Sequence, residues 1–230
     1  KEKEDGYWQA PWFQSFYEKV FENAKETKEI FAIMGYFIAA EDEKYRQLPW
    51  FQKTWKEMMM NPTEWIQMAI LQKNHSFLSS LLSDAQVETI DLGYIHINEN
   101  ELDALTTGLS ANQYFNTLKM HFYHVERDTY FESLGKLLQV PLLREKIKTL
   151  DFDNSYFSKE NLNILANFLK DNSTLNKLIL SNQHMLLGLI DKLLSYKDGA
   201  FRQAPWFKEI WDKIIEDPSN AILEGSELEL

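Results

Sequence analysis

Val87-Glu88-Thr89-Ile90-Asp91-Leu92 places apolar residues first, fourth and sixth, and the same spacing returns three times. The further copies are Phe115-Asn116-Thr117-Leu118-Lys119-Met120, Ile147-Lys148-Thr149-Leu150-Asp151-Phe152 and Leu175-Asn176-Lys177-Leu178-Ile179-Leu180. Alternation at the last three positions is the mark of a strand with one buried face. The fourth positions, Ile90, Leu118, Leu150 and Leu178, are separated by 28, 32 and 28 residues. A strand at every such step leaves room for one helix in between, and strands joined through helices run parallel.

The intervening stretches carry that helical signal. Leu102, Leu105 and Leu109 stand 12, 15 and 19 places after Ile90, and Leu162, Leu165 and Leu169 stand at the same distances after Leu150. In the second interval the pattern starts in step at Tyr130 and then slips by one, to Leu134 and Leu138, where the longer spacing shows an insertion. Asn and Asp near the strand ends and helix starts supply turn and cap chemistry.

A second self-similarity flanks the first. Gln9-Ala10-Pro11-Trp12-Phe13, Gln47-Leu48-Pro49-Trp50-Phe51 and Gln203-Ala204-Pro205-Trp206-Phe207 share one motif, extended by Phe16-Tyr17, Thr54-Trp55 and Ile210-Trp211. Two copies continue alike, as Asn61-Pro62-Thr63-Glu64-Trp65-Ile66 and Asp217-Pro218-Ser219-Asn220-Ala221-Ile222. Proline at the first helical position sacrifices no hydrogen bond, so each copy reads as a helix start. Apolar residues at steps of four (Trp12, Phe16, Val20; Trp50, Thr54, Met58; Trp206, Ile210, Ile214) give each helix an apolar face. These aromatics are read as packing groups first and as a peptide-docking surface second. The spacing predicts helices from Pro11 to about Lys25, Lys28 to Ala40, Pro49 to Met60, Thr63 to Asn74 and His75 to Ser83.

The four strand patterns in series resemble the leucine-rich-repeat family, in the strand-plus-helix form of ribonuclease inhibitor and of innate-immune receptors. Leu175-Asn-Lys-Leu178-Ile-Leu180-Ser-Asn182-Gln is closest to its strand segment, and Asn161 to Leu175 to its helix. Departures are the insertion in the second unit and the lack of the family's asparagine after the first two strands. The resemblance implies an α/β fold: a short leucine-rich-repeat solenoid of about four strand-helix repeats on a parallel sheet, flanked by helical caps. The expected divisions are an N-terminal helical cap over 1–74 with two Pro-Trp-Phe helices, repeats over 75–197, and a C-terminal helical cap over 198–230. Solenoid ends need covering, and Phe201 and Trp206 are placed to cover the last unit.

Composition narrows the function. The net charge is −11 and the pI near 5.0, without a dense Lys/Arg run, which argues against nucleic acid and anionic membrane as partners. Cysteine is absent, so thiol catalysis and thiolate zinc sites are excluded, and a reducing, cytoplasmic compartment fits. The longest apolar run, Ile30 to Ala40, is well short of the roughly 20 residues that span a bilayer. The sequence opens on Lys1 rather than Met, which reads as processing or excision from something longer. There is no Gly-x-Gly pair, no Gly-x-Ser-x-Gly elbow and no His-Glu-x-x-His, so no cofactor and no enzymatic activity are expected. The Glu41-Asp42-Glu43 run reads as a solvated linker.

Candidate contacts lie between the buried strand positions: Thr89, Asp91 and Gly93; Thr117, Lys119 and His121; Thr149, Asp151 and Asp153; Lys177, Ile179 and Ser181. In the resembled family such a concave face meets a protein ligand. Asp91, Lys119 and Asp151 are expected side by side, either to meet a partner or to pair with one another. His96, His124 and His184 each fall six places after a fourth strand position, with Tyr156 in the remaining place, and His121-Phe-Tyr-His124-Val-Glu126 adds further ligand-type residues. That column is broken and belongs to loops, so no metal site is expected.

The leading expectation is a module that binds a protein through the concave face and the adjacent caps. In style, an acidic, Lys- and Asn-rich, cysteine-free chain resembles secreted effectors of intracellular bacterial pathogens of the Legionella kind, which act in the host cytoplasm. The end of the chain, Glu224 to Leu230, is weakly similar to their export signals. The alternatives are an enzyme with a motif-less site between caps and repeats, and a structural segment of a longer array.

Overall fold

A computed structural model describes residues 27–39, 43–94, 99–121, 129–180 and 183–216, with positions 11, 15, 16 and 19. Those four isolated positions are helical; the remainder of the helix expected over 11–25 lies outside the described residues. The N-terminal part is helical: α1 (Thr27–Ala39), a 3₁₀ turn (Glu43–Gln47), α2 (Pro49–Met60), α3 (Pro62–Leu71) and α4 (His75–Asp84). Then strands and helices alternate: β1 (Thr89–Tyr94), α5 (Glu99–Ala111), β2 (Thr117–His121), α6 (Thr129–Leu138), α7 (Pro141–Lys146), β3 (Thr149–Phe152), α8 (Lys159–Leu169), β4 (Lys177–Leu180) and α9 (Gln183–Leu194). A second 3₁₀ turn (Ala200–Gln203) leads into α10 (Pro205–Glu216).

The molecule is therefore α/β, with mostly helices and one open four-stranded sheet in the order β1-β2-β3-β4. All three pairings are parallel, and the register aligns Ile90 with Leu118, Leu118 with Leu150, and Leu150 with Leu178. These are the fourth positions of the sequence pattern. Their side chains, with Leu92, Met120, Phe152 and Leu180, are buried against Leu105, Leu109, Leu165 and Leu169 of the helices. Before each following strand one carbonyl accepts two N–H groups. Glu88 O receives Asn116 and Thr117, Asn116 O receives Lys148 and Thr149, and Lys148 O receives Asn176 and Lys177.

The insertion in the second interval is accommodated outside the sheet. Leu134, Leu137 and Leu138 are all buried in α6, and the extra residues form the one-and-a-half-turn helix α7, begun by Pro141 and anchored by Leu143. The strand register across β2 and β3 is unbroken.

One expected boundary moves. The helix predicted to run to Asn74 stops at Leu71, because Lys73 takes a left-handed backbone (φ 54°) and Asn74 starts the next helix. Asn74 Oδ1 accepts the Phe77 N–H at 3.2 Å, which is an N-cap.

The Pro-Trp-Phe copies at 49 and 205 are one structural unit made twice. Each comes after a 3₁₀ turn and one extended residue, Leu48 (φ −74°, ψ 133°) or Ala204 (φ −67°, ψ 136°), and has proline at its first helical position. Phe51 stacks on Trp55 with centroids 5.8 Å apart at 19°, and Phe207 stacks on Trp211 at 5.8 Å and 13°. Trp50 and Trp206 are buried, each edge-on to the phenylalanine next to it in sequence. α10 packs on β4 and α3 packs on β1, and one buried cluster runs from Phe31 to Ile210.

Candidate interaction surface

The sheet face opposite the buried one carries the candidate residues. Strand alternation puts Thr117, Lys119 and His121 on it from β2, Thr149 and Asp151 from β3, and Lys177 and Ile179 from β4, all half-buried. Thr89 is exposed, and Asp91 and Asp153 are half-buried. Register brings Thr89, Thr117, Thr149 and Lys177 into one row, and Asp91, Lys119, Asp151 and Ile179 into the next.

Much of the second row is engaged by the fold. Lys119 Nζ lies 3.5 Å from Asp151 Oδ2, with the side chains 29% and 14% exposed. This is the cross-strand pair that the sequence offered as the alternative to partner binding, and at this exposure it contributes at most about 1 kcal/mol. The other oxygen of Asp151, Oδ1, accepts the Asp153 N–H at 2.9 Å, and Asp91 Oδ1 accepts the Gly93 N–H at 2.8 Å. Asp151 thus holds the turn that ends β3, and Asp91 the irregular stretch within β1, both in an Asx-type arrangement. Asp153 Oδ1 and Oδ2 accept from the backbone and side chain of Asn154, each at 2.9 Å. His121 Nδ1 lies 2.7 Å from Asp153 O; a carbonyl only accepts, so Nδ1 carries the proton.

Gly93 is a correction. The alternation placed it on the open face, but it is buried with φ 65°, and a Cβ there would meet Gln67 Nε2 at 2.5 Å. The register shifts between Asp91 and Tyr94, so the simple alternation ends at Leu92, and α3 packs against this strand. Thr149, Lys177 and Ile179 differ from their neighbours: no side-chain hydrogen bond or ion pair engages them among the described residues. Ser181, His96, His124 and Glu126 lie outside the described residues, as does the side chain of His184. Tyr156 is 52% exposed. Among the described residues no three His, Cys, Asp or Glu groups converge as metal ligands, and no helix is long and apolar enough to cross a membrane.

Three buried polar residues that sequence reasoning passed over lie in the connections between strands and helices. Asn112 is fully buried; its Nδ2 donates to Leu82 O (2.6 Å) and Ala85 O (2.8 Å), and its Oδ1 accepts from Tyr114 N (2.7 Å) and Phe115 N (2.9 Å). Asn172 holds the same place in the fourth unit and accepts from Thr174 and Leu175 N–H groups, both at 2.9 Å. The signal was present as an asparagine six places before Leu118 and before Leu178. In the third unit Ser155 is buried and its Oγ donates to Met120 O at 3.3 Å, while the adjacent Asn154 is exposed and left-handed (φ 56°).

No protein-family model matches the chain, and neither a curated protein nor a solved structure is detectably similar to it.

Proposed function

We propose that the four strand-helix units are a leucine-rich-repeat solenoid of the ribonuclease-inhibitor-like type, and that the chain is a protein-binding module rather than an enzyme. The observation that carries this reading is the two-row register on the open sheet face. Four parallel strands present alternate side chains to one side, while every intervening side chain is buried on the other. Side chains fixed in rows on a rigid sheet bind with little loss of conformational freedom, which favours a macromolecular partner. On this proposal the module acts in a cytoplasm, and in the host's if it is a secreted effector; the acidic, cysteine-free composition supports that compartment.

The fold dictates which substitutions test the proposal. Asp91 and Asp151 bond backbone N–H groups of the sheet and Lys119 pairs with Asp151, so reversing their charges would damage the sheet as well as the surface. Thr149→Arg, Lys177→Glu and Ile179→Glu alter the same face at positions with no such duty. Affinity capture from lysate with wild type beside this triple variant, then titration of the recovered purified partner, is the test. A partner bound at least about tenfold more weakly by the variant supports the proposal. Equal affinity for every partner removes the face from consideration.

A further inference from the structure

The two Pro-Trp-Phe units have the same internal geometry but different surroundings, and the first shows what the second is shaped to receive. In the first, α4 lies against Trp55. The Phe77 ring meets the indole at 5.9 Å and 61°, and Trp55 Nε1 donates to Asp84 Oδ2 at 3.0 Å. Phe77 and Asp84 are seven residues apart, two turns along one face of the helix. The neighbouring apolar positions of α2 are covered, Met58 being 1% and Met59 7% exposed.

In the second, Trp211 occupies the position of Trp55, stacked on Phe207 as Trp55 is on Phe51. Among the described residues nothing accepts from its Nε1. Ile215, at the position of Met59, is 61% exposed, and Ile214, at that of Met58, is only partly buried. Both indoles are half-buried, but the two apolar positions that follow are covered in one copy and half-buried or exposed in the other.

We propose that the Trp211–Ile214–Ile215 face of α10 docks an amphipathic helix of another polypeptide. That helix presents an aromatic ring and, two turns later, a carboxylate, as α4 does to Trp55. The ring covers Trp211 and Ile215, and the carboxylate accepts the indole N–H. The chemistry of the occupant is taken from the Phe77 and Asp84 contacts that Trp55 makes inside this chain.

The probe is a fluorescein-labelled, helix-stapled peptide of residues 72–86, titrated with the full chain by fluorescence anisotropy. Saturable binding is expected, weakened at least about tenfold by Ile215→Asp or Trp211→Ala in the protein and by Asp84→Ala in the peptide, which removes the acceptor. Ile215 is exposed, so Ile215→Asp keeps the fold, which far-UV circular dichroism checks. Binding indifferent to Ile215→Asp, or the lack of saturation at about millimolar protein, overturns the assignment. So does self-association that Ile215→Asp abolishes and the peptide does not compete, because the occupant is then a second copy. A gain of about tenfold in peptide affinity on deleting residues 217–230 also overturns it, in favour of the chain's own segment.

Discussion

Asn112 has no contact with solvent; its Nδ2 is bonded to the backbone that precedes β1 and its Oδ1 to the backbone that precedes β2. Replacing it by alanine strands two buried carbonyls and two N–H groups, at an expected cost of about 3 kcal/mol in urea denaturation. Asn112→Asp is also expected to destabilise, since a carboxylate cannot donate to Leu82 and Ala85. Asn172→Ala should cost about half as much, because its Nδ2 is buried with no acceptor among the described residues. Lys146 serves the same region. Its ammonium donates to Leu109 O (3.1 Å), Ser110 O (3.0 Å) and Asn112 O, the orphan carbonyls at the end of α5. Lys146→Met is expected to lower stability by about 1–2 kcal/mol at neutral pH. Burial pulls the Lys146 ammonium below the ordinary lysine value of 10.5. Between the lowered value and 10.5 the unfolded chain therefore binds more protons, and stability rises with pH through that window. The advantage of wild type over Lys146→Met should accordingly widen as pH climbs toward 10.5, as read from denaturation midpoints across alkaline buffers.

At the scale of the element, the Pro-started helices are placed by their first two aromatic residues. Trp206 is fully buried where α10 meets β4, so Trp206→Ala is expected to cost about 3–5 kcal/mol in thermal or urea unfolding. The strands, their order and their partners were legible because a buried sheet face forces strict alternation; Ile90, Leu118, Leu150 and Leu178 announce both spacing and register. The starts of α2 and α10 were equally plain from Pro49 and Pro205. What the sequence concealed was decided by single backbone angles and by tertiary bonds. Gly93 sits in a left-handed bulge that periodicity does not register. The end of α3 depends on Lys73, and the duties of Asp91 and Asp151 depend on N–H groups two residues on. The candidate face was thus readable as a set of positions, while the division between residues that the fold engages and residues that it does not was hidden.

For the molecule as a whole, a single buried cluster joins Phe31 to Ile210 with no gap between helical flanks and sheet. Unfolding is therefore expected to be one cooperative event, with tryptophan fluorescence and far-UV circular dichroism tracing the same urea transition. Leu150→Ala, in the middle of the sheet, should shift both signals together by about 2–5 kcal/mol; separate midpoints would show independent folding of the flanks. The short helix α7 carries a different consequence. Four residues more than its neighbours possess are taken up there as roughly one helical turn, and β2 and β3 still meet in register. Change of length is thereby kept apart from change of register: a gene for such a chain can gain or lose about four codons at this joint and leave the rows of the sheet aligned.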